Sequence, residues 1–182
     1  MKKAIGIIEF KSIPKAIEAT DEMLKAGNVE LLMSSPLCPG KYVTIVTGDV
    51  GAVRTSIKSG EEIGGIHCLE SHVIPNIHPA VLPAMLGVDD PGELKALGIV
   101  ETINAISSIL VGDICVKASN IRLIEVRIAR GLGGKAFVLL TGEVSSVKTA
   151  IKAAETEMRE YGVITSYSVI SSPHKDLSKV IF

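Results

Sequence analysis

The chain has 182 residues, enough for one large domain or two small ones, and 47% of them are hydrophobic, so a core has ample material. The formal net charge is −1, there is no basic run and no tryptophan, and only 3% of residues are aromatic, so nucleic acid is not expected as the main partner. Glu9 and Lys11 interrupt the N-terminal apolar run, which makes it too short and too polar for a signal peptide or a membrane span.

The chain begins with a strand pattern followed by a helix pattern. Lys3–Phe10 is apolar and rich in isoleucine, which predicts a β-strand. Ser12 is expected to cap a helix that Gly27 ends. The residues expected to share one face of this helix are Ile13, Ala16, Ile17, Thr20 and Leu24.

Two strands, a second helix and a last strand follow. Val29–Met33 and Tyr42–Thr47 are predicted to pair as antiparallel strands, with a turn between them. A helix follows Asp49, and the last strand covers roughly Ile66–Ile74. The apolar side of this helix contains Val50, Val53 and Ile57. The order β-α-β-β-α-β is the ferredoxin-like arrangement of the α+β class, which supports many different functions.

The second half of the chain repeats the first. The matching segments are AIGIIE (4–9) with ALGIVE (96–101), GKYVTIVTGDVGAVRTSIK (40–58) with GKAFVLLTGEVSSVKTAIK (134–152), and VIPNIHP (73–79) with VISSPHK (169–175). The second copy has two extra residues between Asn120 and Gly134. This self-similarity predicts a tandem duplication, with domains at residues 1–87 and 96–182 and a linker at 88–95.

The turn between the first strand pair contains a cysteine in a rigid setting. Cys38 lies between Pro36 and Pro39 and is followed by Gly40, so the backbone around the thiol is restricted to a tight turn. On the residues alone, an inert exposed thiol is the preferred interpretation, because iron–sulfur clusters need several thiolates. The three cysteines have no CxxC spacing, which favours a reducing cytoplasm without a disulfide framework.

The other candidate groups favour structural roles. Cys68 and Cys115 have no partner at ligand spacing and are expected to pack in the core. Residues 131–134, GLGG, precede a strand rather than a helix, so they are expected to bend the backbone and not to bind phosphate. Glu9 and Glu101 occupy matching positions, which also indicates a shared structural role. No catalytic constellation follows from the spacing, so the chain is not expected to be an enzyme.

The four histidines do not form a convincing ligand set. His78 and His174 occupy matching positions at strand ends, which favours a duplicated structural or interface role. His67 and His72 are expected on opposite faces of one strand. We therefore assign no metal to them.

Several motifs together resemble those of bacterial microcompartment shell proteins of the tandem-domain, trimeric type. They are DEMLKAGNV with its copy DICVKASNI, the helix starts GDVGAV and GEVSSV, the strand ends IPNIHP and ISSPH, and the turns CPGK and RGLGGK. The resemblance implies two ferredoxin-like microcompartment domains per chain. It also implies a homotrimer that mimics a hexamer and abuts other shell proteins in a sheet around enclosed enzymes, as a shell in the bacterial cytoplasm.

The same resemblance implies a site at the first turn. Leu37, Cys38, Pro39 and Gly40 would line a central pore, and one Cys38 from each of three subunits would hold a [4Fe–4S] cluster. Such a cluster would serve electron transfer or cluster transport across the shell, with enclosed redox enzymes as partners.

The resemblance also assigns residues to the edge of the shell tile. Lys25 and Lys117 correspond to the edge lysine of the family, and Asn28 and Asn120 follow them. From the residues alone, both lysines are equally consistent with solvated charges near helix C-termini, where the helix dipole favours cations.

Two other functions remain open at this point. Ferredoxin-like repeats often bind metabolites, so a small-ligand-binding regulatory protein is the main alternative. A redox enzyme subunit with Cys38 as a reactive thiol is a weaker one.

Overall fold

A computed structural model of the protein describes residues 4–87, 93–128 and 131–177. Its contacts divide the chain into two compact units, Met1–Ile77 and His78–Phe182. Each unit contains one four-stranded sheet with helices packed on it, which confirms the predicted α+β tandem fold. The predicted strand start at Lys3 and residues 88–92 of the predicted linker lie outside the described residues.

The first unit has the order β-α-β-β-α-β. Its elements are β1 (Ala4–Phe10), α1 (Ile13–Ala26), β2 (Val29–Leu37), β3 (Lys41–Gly48), α2 (Val50–Gly64) and β4 (Cys68–Ile74). The strands are all antiparallel in the order β2-β3-β1-β4, and β1 is buried along its whole length.

The second unit repeats this order after one additional short helix. Its elements are α3 (Val81–Leu86), β5 (Ala96–Thr102), α4 (Ala105–Ala118), β6 (Ile121–Arg127), β7 (Ala136–Gly142), α5 (Val144–Glu157) and β8 (Ile164–Ile170). The strand order is β6-β7-β5-β8. The repeat pattern predicted a first domain that extends to residue 87, whereas α3 packs against α4 and β6 and belongs to the second unit.

The duplication extends to irregularities of the backbone. The register of the first sheet shifts between Glu9 and Phe10, and that of the second shifts between Glu101 and Thr102. The pairs β2–β3 and β6–β7 also share a shift, at Leu31/Met33 and Leu123/Glu125. The repeated sequence thus produces the same bulges twice, and bulges re-aim the side chains next to them.

A helix lies very close to the central strand in both units because that strand has a glycine at the contact. A Cβ on Gly6 would lie 2.5 Å from Cγ1 of Ile57 on α2. In the second unit, a Cβ on Gly98 would lie 2.9 Å from Cγ1 of Val147 on α5. It would also lie 2.6 Å from Cδ1 of Leu140 on the neighbouring strand β7. The missing side chain therefore sets the distance between helix and sheet.

Only part of the predicted apolar face of α1 is buried. The buried residues are Ala16, Ala19, Thr20 and Met23, whereas Ile13, Ile17 and Leu24 are exposed. The reason is that α1 contacts the sheet through small side chains: the Thr20 hydroxyl donates to the Ala16 carbonyl at 2.7 Å and shares a 2.6 Å hydrogen bond with Thr44. The larger apolar residues are left at the surface.

No helix in the described part of the chain is long and apolar enough to cross a membrane.

We expect Gly6→Ala to lower the free energy of unfolding by about 1–3 kcal/mol, because the added methyl group overlaps Ile57 and Val53. Urea unfolding followed by circular dichroism measures the change. Gly51→Ala is the matched control, since Gly51 lies in α2 with no atom within 4 Å of its added Cβ, and it should be neutral or stabilising. Equal losses in both variants would contradict the close helix contact.

Candidate functional site

The candidate site is the turn between β2 and β3. Leu37, the last residue of β2, is 4% exposed and pairs with Lys41, the first residue of β3. Cys38, Pro39 and Gly40 between them are all exposed, and Gly40 has a φ of +65°, in the left-handed region that favours glycine. The turn is therefore anchored by Leu37 and exposes the Cys38 thiol.

An ion pair connects the end of this turn to the central strand. The Lys41 ammonium donates to Oε2 of Glu9 on β1 at 3.0 Å. The Glu9 side chain is only 2% exposed, and its other oxygen, Oε1, is buried without a hydrogen-bond partner among the described residues. Lys41 thus neutralises a buried carboxylate and restrains the residue that follows the turn.

The second unit has the same ion pair in a more exposed form. The Lys135 ammonium donates to Oε1 of Glu101 at 2.8 Å, and the Thr165 hydroxyl donates to the same oxygen at 2.6 Å. These bonds, from Lys135 first and then Thr165, hold the pKa of Glu101 below its ordinary value. Leu69 stands at the position of Thr165 in the first unit, so Glu9 lacks this second donor. The shared structural role predicted for Glu9 and Glu101 is therefore to form an ion pair with the lysine that follows the turn.

The turn between β6 and β7 contains glycines in place of the cysteine. Gly131, Gly133 and Gly134 all have φ values in the left-handed region, at 71°, 60° and 95°. The predicted bending role of these glycines is confirmed. The amide of Lys135 donates to the Leu132 carbonyl at 3.1 Å and closes the turn. Only the first of the two strand-pair turns thus carries a thiol.

Burial separates Cys38 from the other two cysteines. Cys115 is fully buried on α4, and desolvation, with a smaller contribution from Glu157, raises its pKa to about 12. Cys68 is partly buried against the core of the first unit, and burial followed by the charge of Glu61 raises its pKa as well. Both therefore stay protonated thiols at neutral pH, and the thiolate is the form that binds metal. The predicted packing role of Cys115 is confirmed.

One chain alone does not assemble a metal site from its described residues. No group of three or more histidine, cysteine, aspartate or glutamate side chains lies close enough together there to hold a metal ion. Cys38 offers a single thiolate donor, and an iron–sulfur cluster is held by several. Among the described residues, one chain therefore supplies one exposed thiol donor and not a complete ligand set for such a cluster.

The histidines at the matching strand ends form the same local turn twice. Nδ1 of His78 accepts the Ala80 amide at 3.2 Å, and Nδ1 of His174 accepts the Asp176 amide at 3.2 Å. Both imidazoles thus hold a backbone turn, which is the structural one of the two duplicated roles, structural or interface, expected for them.

The lysines assigned to the tile edge lie in different surroundings. Lys25 at the end of α1 has a side chain 60% exposed and bonds Asp21 and Glu22, and the first of these bonds is the main cause of its raised pKa. Lys117 at the end of α4 bonds Asp113, whose side chain is only 8% exposed. Asn28 and Asn120 are both exposed one residue before the next strand.

The signal for the ion pairs was present in the sequence. A glycine–lysine pair follows the turn in both repeats, and a glutamate lies at the same position of both central strands. The sequence pattern indicated the two glutamates, whereas Lys41 and Lys135 were not predicted as their partners. The contact between them depends on strand pairing, since β1 and β3 are 30 or more residues apart along the chain.

The chain was also compared with known proteins. It matches the BMC domain family over residues 4–77 and 96–173. The bacterial microcompartment shell protein PduT of Citrobacter freundii is 44% identical over 177 residues, which is 97% of this chain and 96% of that protein. The carboxysome shell protein CcmK2 of Synechocystis sp. is 35% identical over 82 residues, 43% of this chain and 80% of CcmK2. A crystal structure of a microcompartment protein from Desulfitobacterium hafniense DCB superposes with a TM-score of 0.93 at 41% identity, over 98% of this chain and 99% of the other.

We expect Lys41→Met to lower the free energy of unfolding by about 3–5 kcal/mol, because it leaves the charge of Glu9 buried and unpaired. Lys135→Met is the matched control. Its partner Glu101 is 36% exposed and keeps the Thr165 hydroxyl, so the loss should be much smaller. Chemical denaturation of both variants measures the difference, and equal losses would show that the burial of Glu9 does not matter.

Proposed function

Because the chain belongs to the bacterial microcompartment (BMC) domain family and is a structural shell protein and not an enzyme, we propose that three copies form one tile of the shell, with Cys38 of each copy at a central pore. The observation that carries this proposal is the exposure of Cys38 at the tip of the β2–β3 turn. The motifs had predicted this family, and the match over both repeats confirms it.

The trimer is supported by the duplication. Each chain provides two units of the same strand order, so three chains provide six similar units around a threefold axis. The match to CcmK2 covers 43% of this chain, about one repeat, and 80% of CcmK2. In such a ring the Cys38 turn alternates with the glycine turn at residues 131–134, and three thiols face the axis.

The pore turn is suited to hold a [4Fe–4S] cluster. Three Cys38 thiolates would hold it. When bound, the cluster would supply single-electron transfer across the shell, or it would itself be delivered to enzymes inside. The chain's own residues position the thiol: Leu37 anchors the end of β2, and the Lys41–Glu9 pair restrains the start of β3. The exposed ring of Pro39 next to the thiol limits the conformations of the turn.

Lateral contacts with other shell proteins are the second part of the proposal. Lys25 and Asn28 in the first unit, and Lys117 and Asn120 in the second, are exposed at the same place in both repeats, between a helix end and the next strand. In the proposed tile they lie at the outer edge and contact the neighbouring tile. Redox enzymes enclosed by the shell are the proposed partners of the pore.

The alternative of a small-ligand-binding regulatory protein is not favoured. The relatives that match this chain are named as shell proteins, including PduT over nearly its whole length. The same comparison disfavours a redox enzyme subunit in which Cys38 reacts as a free thiol.

Protein purified without oxygen is expected to contain about four iron atoms and four sulfides per trimer, if three thiolates hold one cubane cluster. Cys38→Ser removes all three thiolates, so iron, the broad visible absorbance and the reduced-state EPR signal should be lost while the trimer remains. Iron and sulfide analysis, EPR and light scattering measure these properties.

Cys68→Ser and Cys115→Ala serve as controls for Cys38→Ser, because neither side chain is exposed. Both variants should keep the cluster. Anaerobic protein without iron, or iron that persists after Cys38→Ser, would show that Cys38 is only a thiol at the pore.

Lys25→Ala is expected to reduce the growth of flat sheets while leaving the trimer intact, because it removes an exposed ammonium from the proposed tile edge without adding charge. Lys15→Ala is the matched control, since Lys15 is on the same helix and bonds Glu18. Electron microscopy of the assembled sheets and light scattering of the tile distinguish the two effects. Unchanged sheets in Lys25→Ala would refute the edge assignment.

A further inference from the structure

The last strand of the second sheet has an open edge. In the strand order β6-β7-β5-β8, β8 pairs only with β5 among the described strands. Its residues 165–168 are all exposed, and its sequence, ITSYSVI, contains neither a charged residue nor a proline. Edge strands are usually protected by charges or proline, because the unpaired amides and carbonyls along an edge pair readily with another strand. The outer edge of β8 therefore accepts an additional strand.

A cavity lies beside this edge. It occupies about 460 Å³ between the end of α5 and β8, within the size range of sites that bind small ligands or side chains. Met158 and Val163 line it and are only 6% and 8% exposed, so they give it an apolar part. Ser166 and Tyr167 of β8 also line it. A strand that pairs with β8 thus has a pocket next to it for a side chain.

Arg159 gives the cavity an unpaired positive charge. It is exposed two residues after the end of α5, and no group in the described part of the chain bonds its guanidinium. Glu155 also lines the cavity, but its Oε2 lies 3.7 Å from Nζ of Lys152. A guanidinium binds a carboxylate through two parallel hydrogen bonds. The cavity is therefore complementary in charge to an acidic group.

Two exposed tyrosines lie next to Arg159. Tyr161 is 72% exposed and Tyr167 is 49% exposed, and the whole chain has only three tyrosines. Tyrosine and arginine are enriched at the positions that contribute most to binding in protein interfaces. These three side chains together have the composition of a protein-binding site.

The turn that contains Arg159 is longer than its counterpart in the first unit. Lys152 follows its counterpart Lys58 by 94 residues, whereas Val169 follows Val73 by 96, so two extra residues lie between α5 and β8. The turn at residues 159–162 occupies this segment and lies at the cavity. The duplication has thus changed the second unit at this place.

The first unit has a bond where the second has the cavity. The Ser71 hydroxyl of β4 donates to Glu61 of α2, which connects strand and helix. The matching residues of the second unit are Tyr167 and Glu155, and they do not bond each other. Strand β4 also has a charged residue, Glu70, on its exposed part. The open, uncharged edge with a cavity beside it is therefore a property of the second unit.

From these observations we infer that the edge of β8 binds an extended peptide segment of another protein, which adds a strand to the sheet and places an acidic side chain on Arg159. The edge selects an extended backbone, because its row of amides and carbonyls is matched by another strand. The guanidinium selects a carboxylate, since Glu155 is already paired with Lys152. This inference goes beyond the proposed tile and depends neither on its trimer nor on Cys38.

Peptide selection tests the docking. The probe is a random heptapeptide library displayed on phage, since β8 has seven residues, and the target is the full-length chain. The selected peptides should be rich in β-branched residues, which favour strands, and should have aspartate or glutamate at one fixed position.

Reversal of the charge tests the role of Arg159. Arg159→Glu should weaken binding of the best selected peptide at least about tenfold, and a new selection on this variant should give lysine or arginine at the same position. Lys148→Glu is the matched control, because it makes the same change of charge at an exposed residue of α5 that does not line the cavity. Its affinity should stay unchanged. Fluorescence anisotropy of the labelled peptide measures the dissociation constants.

Methylation of the peptide's backbone amides gives a measurement that leaves the protein unchanged. Successive residues of a strand direct their amides to opposite sides. Methyl groups on every second residue should therefore abolish binding in one of the two possible series and not in the other. Equal effects of the two series would rule out pairing with a strand edge.

The remaining outcomes separate this inference from the proposed tile. A selection without enriched peptides, or equal affinity of Arg159→Glu and the unsubstituted chain, overturns the docking. Smaller particles of Arg159→Glu in light scattering, with unchanged peptide affinity, also overturn it, because the edge then pairs with a second copy of the chain. Unsubstituted protein that stays a monomer and still binds the peptide supports the docking and overturns the tile alone.

Discussion

The position of the candidate site depends on one ion pair between a turn and the central strand of the sheet. In the first unit, Lys41 follows the Cys38 turn and bonds Glu9 on β1, where the carboxylate is almost fully buried. A buried charge that has one partner is costly to separate from it, so the pair restrains the residue beside the turn more strongly than an exposed pair does. The backbone of the Cys38 turn is therefore restrained on both sides, by the burial of Leu37 before it and by the ion pair of Lys41 after it.

The same pair in the second unit shows how small sequence differences change its strength. Glu101 has two donors and is partly exposed, whereas Glu9 has one donor and an oxygen without a partner among the described residues. The difference follows from Thr165, which is replaced by Leu69 in the first unit. The turn that carries the cysteine is thus tied by the more buried of the two pairs.

The two units differ in how much of the helix after their first strand is buried, although the units are duplicates. Helix α3 lies on α4 and β6, so the second unit buries an apolar helix that has nine buried residues. Helix α1 has only four buried residues and keeps its large apolar side chains at the surface. Exposed apolar surface of this kind marks an interaction site in soluble proteins, and a protein that functions as part of a shell needs such surfaces. Burial also distinguishes the three cysteines. Cys68 is partly buried and Cys115 is buried, so both stay protonated thiols, whereas Cys38 is exposed.

The sequence by itself determined the order of helices and strands along the chain, the duplication and the exposed setting of Cys38, because periodicity, repeated motifs and the Pro and Gly residues of the turn are signals that lie close together along the chain. It did not determine which face of α1 is buried, since Ile13 and Ile17 are more apolar than the Ala16 and Thr20 that face the sheet. Nor did it predict α3, whose six residues are too few to show a helical period. The tertiary structure decided these points, together with the partners of Glu9 and Asp113, because each depends on strands and helices that are far apart in the chain and meet only when the sheets form.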